Sequence, residues 1–587
     1  VVRSSLWDGA AADVGAVTFG NGATGTVGAV SSSNSLVGST ANDQVGSGTF
    51  TVLSSDNYLV RTPNWDNGAA TNAGAVSFGS GTSGVSGVIS ATNSLVGSSA
   101  NDQIGSNVTL LSNGNYLVSA SSWDNGGITN VGEVTFGSGT AGVAGVVSAA
   151  NSLVGTTAND QVGGSITVLS NGNYVVRSHL WDNAGVVDAG AVTFGNGTTG
   201  ILGTVSAANS LVGTTASDQV GSMGVAALGS GNYAVISSYW DNAAVSNAGA
   251  VTFGSGMSGI IGTVSVANSL VGISANDQVG NGGIVTLSNG NFVVRSSDWS
   301  NGAATAAGAV TFASGISGLS GAVSPDNSLV GTGANDKVGS GGVTALSNSN
   351  YVVNSYNWNN GATTSVGAIS FGTGTGVKGA VSSSNSLVGT VSGDQIGSGG
   401  ISALSNGSVI VRSPNATDRG FASAGLVHVA SPGAAPISAS GHTFAATLAS
   451  DVTLTPTSIT AITNTGTALV LQANNDITLA ANSNITTSAS GNGGALTLQA
   501  GRNILLNSSI TTDNGNFTAI AGDPGANLTY TDAGTPAIAF GSGASLNVGT
   551  GTATLAAIGG TFANNSGSAT PITTTGRWLA YSTDPAS

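Results

Sequence analysis

The sequence predicts an all-β protein, and three observations predict it. Glycine supplies 93 of 587 residues. The helix formers Glu, Lys and Arg are scarce: charged residues are 6% of the chain, and Glu133 is its one glutamate. Glycine costs about 1 kcal/mol at a helix-interior position, so long helices are excluded. Gly, Asn, Thr and Val at this density suit short strands joined by tight turns. The third observation is a strict internal repeat.

The repeat is measured on three markers. A tryptophan, usually followed by Asp-Asn, falls at Trp7, Trp65, Trp123, Trp181, Trp240, Trp299 and Trp358. Its near-constant spacing, about 58 residues, marks a repeat architecture. The next expected position holds Ala416, in a decayed copy. An aspartate keeps the same period at Asp43, Asp102, Asp160, Asp218, Asp277, Asp336 and Asp394. Each precedes Gln or Lys and then an aliphatic-Gly pair. The phrase Asn-Ser-Leu-Val-Gly recurs around Leu36, Leu95, Leu153, Leu211, Leu270, Leu329 and Leu387. The opening Val1-Val2-Arg3-Ser4 is the end of a phrase seen again at Val175–Ser178 and Val293–Ser296. The chain therefore reads as opening inside a repeat, as a fragment or processed piece of a longer protein.

One unit reads as four short strands. Ile166–Leu169 is the first, closed by Ser170-Asn171-Gly172-Asn173, since Asn-Gly is a strong hairpin signal. Tyr174–Arg177 is the second. A loop with Trp181-Asp182-Asn183 follows, then a third strand over Gly190–Gly195 and a fourth near Ile201–Val205. Four strands in a unit of this length match one propeller blade. The expected architecture is a seven- or eight-bladed β-propeller over residues 1–430. Eight arises if residues 1–4 and Val409–Arg412 both count as second strands. The alternative is a continuous β-solenoid, which should show similarity between thirds of a unit; none is visible.

The stretch from Gln161-Val162-Gly163 through Asn171-Gly172-Asn173-Tyr174-Val175-Val176 to Gly190-Ala191-Val192 resembles the FG-GAP repeat of integrin alpha-subunit propellers. The order and spacing of elements agree over residues 1–430. Val or Ile replaces the Phe of Phe-Gly, and Arg-Ser-Pro-like text replaces Gly-Ala-Pro. The family's calcium loops place carboxylates in the hairpin. Here the hairpins read Ser112-Asn113-Gly114-Asn115 or Ser288-Asn289-Gly290-Asn291. Calcium takes several oxygen ligands, typically with carboxylate charge. No metal and no cofactor is therefore expected.

The C-terminal quarter reads differently. A linker at 431–441 begins with Ser431-Pro432-Gly433-Ala434-Ala435-Pro436. Over 442–587 the long period vanishes. Leu469–Ala473 echoes Leu496–Ala500 at an offset of 27, and Ile477–Leu479 echoes Ile504–Leu506 at the same offset. Alternating aliphatic and polar residues with Asn and Gly at corners predict a parallel β-helix. Gly494–Ile504 and Gly576–Pro585 resemble segments of filamentous haemagglutinin-type, two-partner secreted exoproteins. That resemblance implies export and display at a bacterial cell surface.

Composition excludes several functions. A net charge of −15 with ten basic residues cannot neutralise a run of phosphates, so nucleic acid is excluded. Without cysteine there are no disulfides and no thiolate metal sites. No apolar run approaches the ~20 residues of a membrane helix, so no transmembrane segment is expected. Glycine has no G-X-Y period, which excludes collagen. The mean hydropathy of +0.26 allows a buried core and argues against disorder.

The repeated residues are the site candidates. The tryptophans read as packing between units, with a ring of sugar-stacking platforms as the functional reading. The aspartates read as turn caps, with a ligand role as the sharper one. Arg3, Arg61, Arg177, Arg295 and Arg412 share one strand position that Ser119, Ile236 and Asn354 fill in other copies. They read as edge residues, or as a ligand rim attracting acidic glycans. His179, His428 and His442 stand in no catalytic spacing, so an enzyme is not expected. The expected function is a non-catalytic adhesion module of a secreted, surface-displayed bacterial exoprotein. Its partner would be a cell-surface glycan or protein, with self-association into fibres through exposed β edges. The alternative is a structural spacer without its own ligand.

Overall fold

A computed structural model describes residues 1–404, 407–417, 426–430, 456–464 and 466–582. The expected linker at 431–441 and His442 lie outside the described residues. Two compact units are distinguished: Val1–Ala345 with Thr373–Ala380, and Leu346–Gly372 with Val381–Ser587. The described residues are almost entirely strand, turn and loop. The exceptions are a short α-helix, Pro456–Thr463, and a single 3₁₀ turn, Leu528–Tyr530.

Each repeat builds a small antiparallel sheet. Around Tyr174 the strands are Ser165–Val168, Tyr174–Ser178, Ala191–Gly195 and Ser210–Val212, paired in that order. The hairpin between the first two is closed by Leu169 N–H to Asn173 O at 2.8 Å, with Gly172 at φ +87°. A residue with a Cβ is strained at that angle, which explains Asn-Gly there. The expected first three strands match these to within a residue.

The expected fourth strand does not. Around Ile201–Val205 only Gly203–Thr204 is extended, and it pairs in parallel with Leu153–Val154 of the preceding repeat. The fourth strand of the sheet is Ser210–Val212, from the Asn-Ser-Leu-Val-Gly phrase. Gly200 and Gly203 both take positive φ, +74° and +97°, which leaves no room for a longer strand between them. Leu211 and Val212 are fully buried and hold the sheet instead.

Clusters of core residues straddle neighbouring repeats. One joins Leu117, Val134 and Leu153 to Tyr174, Val176 and Trp181. A unit of this size cannot bury its apolar face alone and is completed by its neighbour. The sheets are open. Among the described residues of the first unit, the parallel pairings between repeats join one repeat to the next.

In the second unit, three parallel sheets are built by strands that visit them in rotation. Leu469–Ala473, Leu496–Ala500, Phe517–Ala521, Ala553–Ala557 and Trp578–Ser582 form one. A second begins with Ile477–Leu479 and Ile504–Leu506, and a third with Ile485–Thr486 and Ile510–Thr511. The 27-residue echo is the pairing register: Leu469 faces Leu496, and Ile477 faces Ile504. Alternate residues such as Leu496, Leu498, Phe517 and Leu555 point inward and are buried. The helix Pro456–Thr463 was not expected; its Ile459 packs on the same core.

Candidate functional site

The candidate site is the seam between successive repeats, where most of the repeated polar residues converge. The periodic aspartates are its buried element. Asp43, Asp102, Asp160, Asp218, Asp277 and Asp336 are fully buried and Asp394 nearly so. In Asp218 one carboxylate oxygen, Oδ2, accepts the N–H groups of Thr214 and Thr215, both at 2.8 Å. Oδ1 accepts the N–H of Asp241 at 2.9 Å. Asp241 follows the tryptophan of the next repeat. Asp43, Asp102, Asp160 and Asp277 make the same three bonds, the last reaching Ser300. Asp394 does so with Thr417. Asp43, Asp102, Asp160, Asp218 and Asp277 thus cap their own turns and clip them to the next tryptophan loop, and Asp394 clips its turn to the loop at Ala416. Burial pushes the carboxyl groups of Asp43, Asp102, Asp160 and Asp218 above the ordinary value, opposed by their backbone donors.

The clip receives no charge from the residue after each tryptophan. It takes that residue's backbone N–H, so Asp241 and Ser300 serve equally. The side chain has a separate use: Asp66, Asp124, Asp182 and Asp241 accept a backbone N–H six residues on. Asn359 does the same for Ser365.

The tryptophans lie inside. Trp65, Trp123, Trp181, Trp240, Trp299 and Trp358 are 2–4% exposed, and Trp7 is half-buried. The six buried rings offer no face for a sugar. Their indole N–H groups have no hydrogen-bond partner among the described residues.

Three of the five arginines donate to backbone carbonyls. Arg3 donates to Gly48 O at 3.0 Å, and Arg61 to Gly105 O at 2.7 Å and to Ser106 O. Arg177 donates to Gly221 and Ser222 O at 3.3 and 3.1 Å. Asn354 replaces them with a bond to Gly397 O at 2.9 Å. Arg295 packs against Gly282 and Gly342, and Arg412 is exposed beside Gly400. Burial lowers the guanidinium pKa of Arg61, Arg177 and Arg295. His179 is half-buried and pushed down by burial and by the nearby Arg177 cation. His428 lies on the strand Leu426–Ala430.

A second ladder was missed by sequence reasoning. Asn113 and Asn115 both donate to Gly197 O, at 2.7 and 2.8 Å, and Asn115 Oδ1 accepts Gly139 N–H at 2.9 Å. Asn171 and Asn173 do the same toward Gly256 and Gly197. Hairpin amides thus bind the glycine of their own repeat and that of the next. A Cβ on Gly256 would lie 1.8 Å from Gly231 O, so no other residue fits. The signal was present in the sequence as Phe-Gly-x-Gly, whose second glycine keeps a fixed distance from the hairpin Asn.

Seven segments, residues 1–47, 52–106, 110–164, 168–222, 227–281, 286–340 and 345–398, match a family model described as a repeat of unknown function (DUF5650). Together they cover more than half of the chain. The chain belongs to the DUF5650 repeat family. No curated protein matches it. Among solved structures it is similar to one titled as a streptogramin B lyase, at 10% identity, over 64% of this chain and 90% of that chain, with a TM-score of 0.23. At that score the likeness bears on neither fold nor activity.

One set of residues that differ between DUF5650 repeats is exposed. The turn after Phe-Gly-x-Gly, or Phe-Ala-x-Gly at 312–315, presents Ala23, Thr82, Thr140, Thr198, Met257, Ile316 and Thr375. Four residues beyond the first six of these stand Val27, Ser86, Ala144, Leu202, Ile261 and Ser320, also exposed. Each turn packs on the phenylalanine of the preceding repeat, as Gly259 does on Phe194 and Gly318 on Phe253. Equivalent turns are therefore neighbours, and Leu202, Met257, Ile261 and Ile316 place exposed apolar side chains in consecutive DUF5650 repeats. In the second unit a cavity of about 270 Å³ is lined by Ile538, Phe540, Leu555, Phe562, Ile572 and Trp578 among others. Among the described residues no cluster of His, Asp or Glu is arranged to hold a metal, and no helix is long and apolar enough to cross a membrane.

Proposed function

We propose that the protein is a non-catalytic binding module of adhesin type, in which the DUF5650 repeats are a scaffold and their exposed turns carry the contact. One observation carries this reading. Most residues kept from repeat to repeat are spent on internal bonds, and the exposed positions 27, 86, 144, 202, 261 and 320 carry Val, Ser, Ala, Leu, Ile and Ser in turn. A catalytic role for the periodic carboxylates fits poorly, because each is consumed by backbone N–H groups. Arg3, Arg61 and Arg177 are likewise committed to carbonyls, so a ligand rim would form on the turns. The partner in this reading is a glycan or protein of a cell surface, and the chain would be secreted and displayed on a bacterial cell.

The finer architecture belongs to the same proposal. The three parallel sheets visited in rotation support a parallel β-helix of the filamentous haemagglutinin kind. Strand pairings that join one repeat to the next support a solenoid-like array at least as well as an FG-GAP-like propeller. The test is a glycan array and a cell-adhesion assay on the full chain and on a variant with Leu202, Met257, Ile261 and Ile316 all changed to Ser. Binding that is lost in a folded variant supports the module. Absence of binding by the intact, folded chain favours the spacer.

A further inference from the structure

Glu133 stands where the other six repeats have alanine: Ala16, Ala75, Ala191, Ala250, Ala309 and Ala368. Like them it is fully buried. Its carboxyl group enters a chain of hydroxyls that every repeat contains. In the following repeat, Thr193 Oγ1 lies 2.7 Å from Ser210 Oγ, which donates to Asn209 Oδ1 at 2.9 Å. Two hydroxyl protons serve two bonds there. Around Glu133 there are three bonds. Glu133 Oε2 lies 2.6 Å from Thr135 Oγ1, which lies 2.5 Å from Ser152 Oγ, which lies 3.0 Å from Asn151 Oδ1.

Asn151 cannot supply the missing proton. Its Oδ1 already accepts Ser148 N–H at 2.9 Å, while its Nδ2 donates to Val146 O. Thr135 and Ser152 have one hydroxyl proton each, so with an ionised carboxyl one of the three contacts holds no proton. Thr135 then donates to Glu133 Oε2, and either its contact with Ser152 or that of Ser152 with Asn151 goes unmade. The acid form, with Glu133 donating to Thr135, supplies the third proton and completes all three. Glu133 Oε1 faces the backbone of Ala120 but makes no hydrogen bond of good geometry. Among the described residues no cation stands ready to pair with it. The adjoining strands Tyr116–Ala120 and Ser152–Val154 carry no charged side chain, and Ser119 occupies the position that holds arginine in other repeats. Among the described residues the charge acting on it is Asp102, an anion.

We propose that Glu133 is held as the neutral acid and makes its repeat a pH-sensitive joint, closed while the acid donates to Thr135 and loosened when base removes the proton. Because the chain has one glutamate, labelling with [¹³C]glutamate yields a single carboxyl resonance to titrate in the full chain. Its midpoint is expected near 8, where burial places it. Hydrogen exchange at pH 6 and pH 9.5, corrected for intrinsic rates, is expected to show protection lost around residues 116–154 in the wild type. Glu133→Gln keeps an uncharged donor and should retain protection at both pH values. Glu133→Ala, the residue of the other repeats, serves if that variant does not fold. A midpoint between 4 and 5 overturns the proposal. So does protection that is unchanged at high pH, or lost equally in the wild type and the variant.

Discussion

Replacing Asp218 with alanine should loosen the junction between two repeats without unfolding the rest. The carboxylate holds three backbone N–H groups, from Thr214 and Thr215 in its own turn and from Asp241 in the next repeat. An orphaned N–H costs about 1–3 kcal/mol when buried. Thr214 is exposed and Thr215 half-buried, so water recovers part of two of these bonds. Relief from burying the carboxyl group, whose pKa burial raises, offsets part of the third. The net expectation is a loss of about 2–4 kcal/mol, confined to the adjoining repeats because repeat stability is a sum of local and nearest-neighbour terms. Asp218→Asn keeps one acceptor oxygen and should lose about half as much. Urea denaturation gives the size, and hydrogen exchange of the loop carrying Trp240 gives the place. If both variants stay within about 0.5 kcal/mol of the wild type, the range of an ordinary surface substitution, the clip contributes nothing and the reasoning fails. Uniform loss of protection along the array would refute its local character.

Gly256→Ala should be more disruptive than a glycine replacement usually is. The new Cβ meets Gly231 O, a backbone atom that cannot step aside, at an overpacking cost of about 1–3 kcal/mol or more. A drop in thermal midpoint checks it, against Gly127→Ala as a control at an ordinary φ without a close neighbour. Arg177→Ile copies the residue found at 236 and should cost about 1 kcal/mol or less, with adhesion unchanged; loss of binding in a folded variant would restore the arginine rim. Glu133 predicts a pH slope. Its folded pKa of about 8 lies above the ordinary 4.5, so the folded state binds the extra proton. Stability is highest below the ordinary value and falls as pH rises toward 8, by at most about 5 kcal/mol. Glu133→Ala should remove that slope; equal slopes in chemical denaturation from pH 5 to 9 would contradict it.

The strands inside one repeat were legible because their pairing is local. Tyr174–Ser178 opens on the strand formers Tyr-Val-Val, an Asn-Gly turn precedes it, and sequence neighbours become hydrogen-bonded neighbours. The 27-residue echo was legible for a related reason: parallel pairing places identical residues side by side, so the offset is the register. The seam was harder to read. Asp218, Thr214 and Thr215 lie within five residues and suggest a cap, but nothing nearby indicates that Oδ1 reaches Asp241. The arginine position looked like an edge open to ligands, because the carbonyls it satisfies belong to residues 44 and 45 further on.

The sequence by itself determined the all-β character, the period, the hairpins and the inward faces of the parallel strands. Glycine and Asn set the allowed backbone angles, and side-chain alternation sets the buried face; both act over a few residues. Only the tertiary structure decided which strand completes each sheet, how repeat meets repeat, and which repeated residues are consumed in that meeting. Those outcomes depend on buried polar groups finding partners across the seam. That requirement binds residues from different repeats, so no single repeat reveals it.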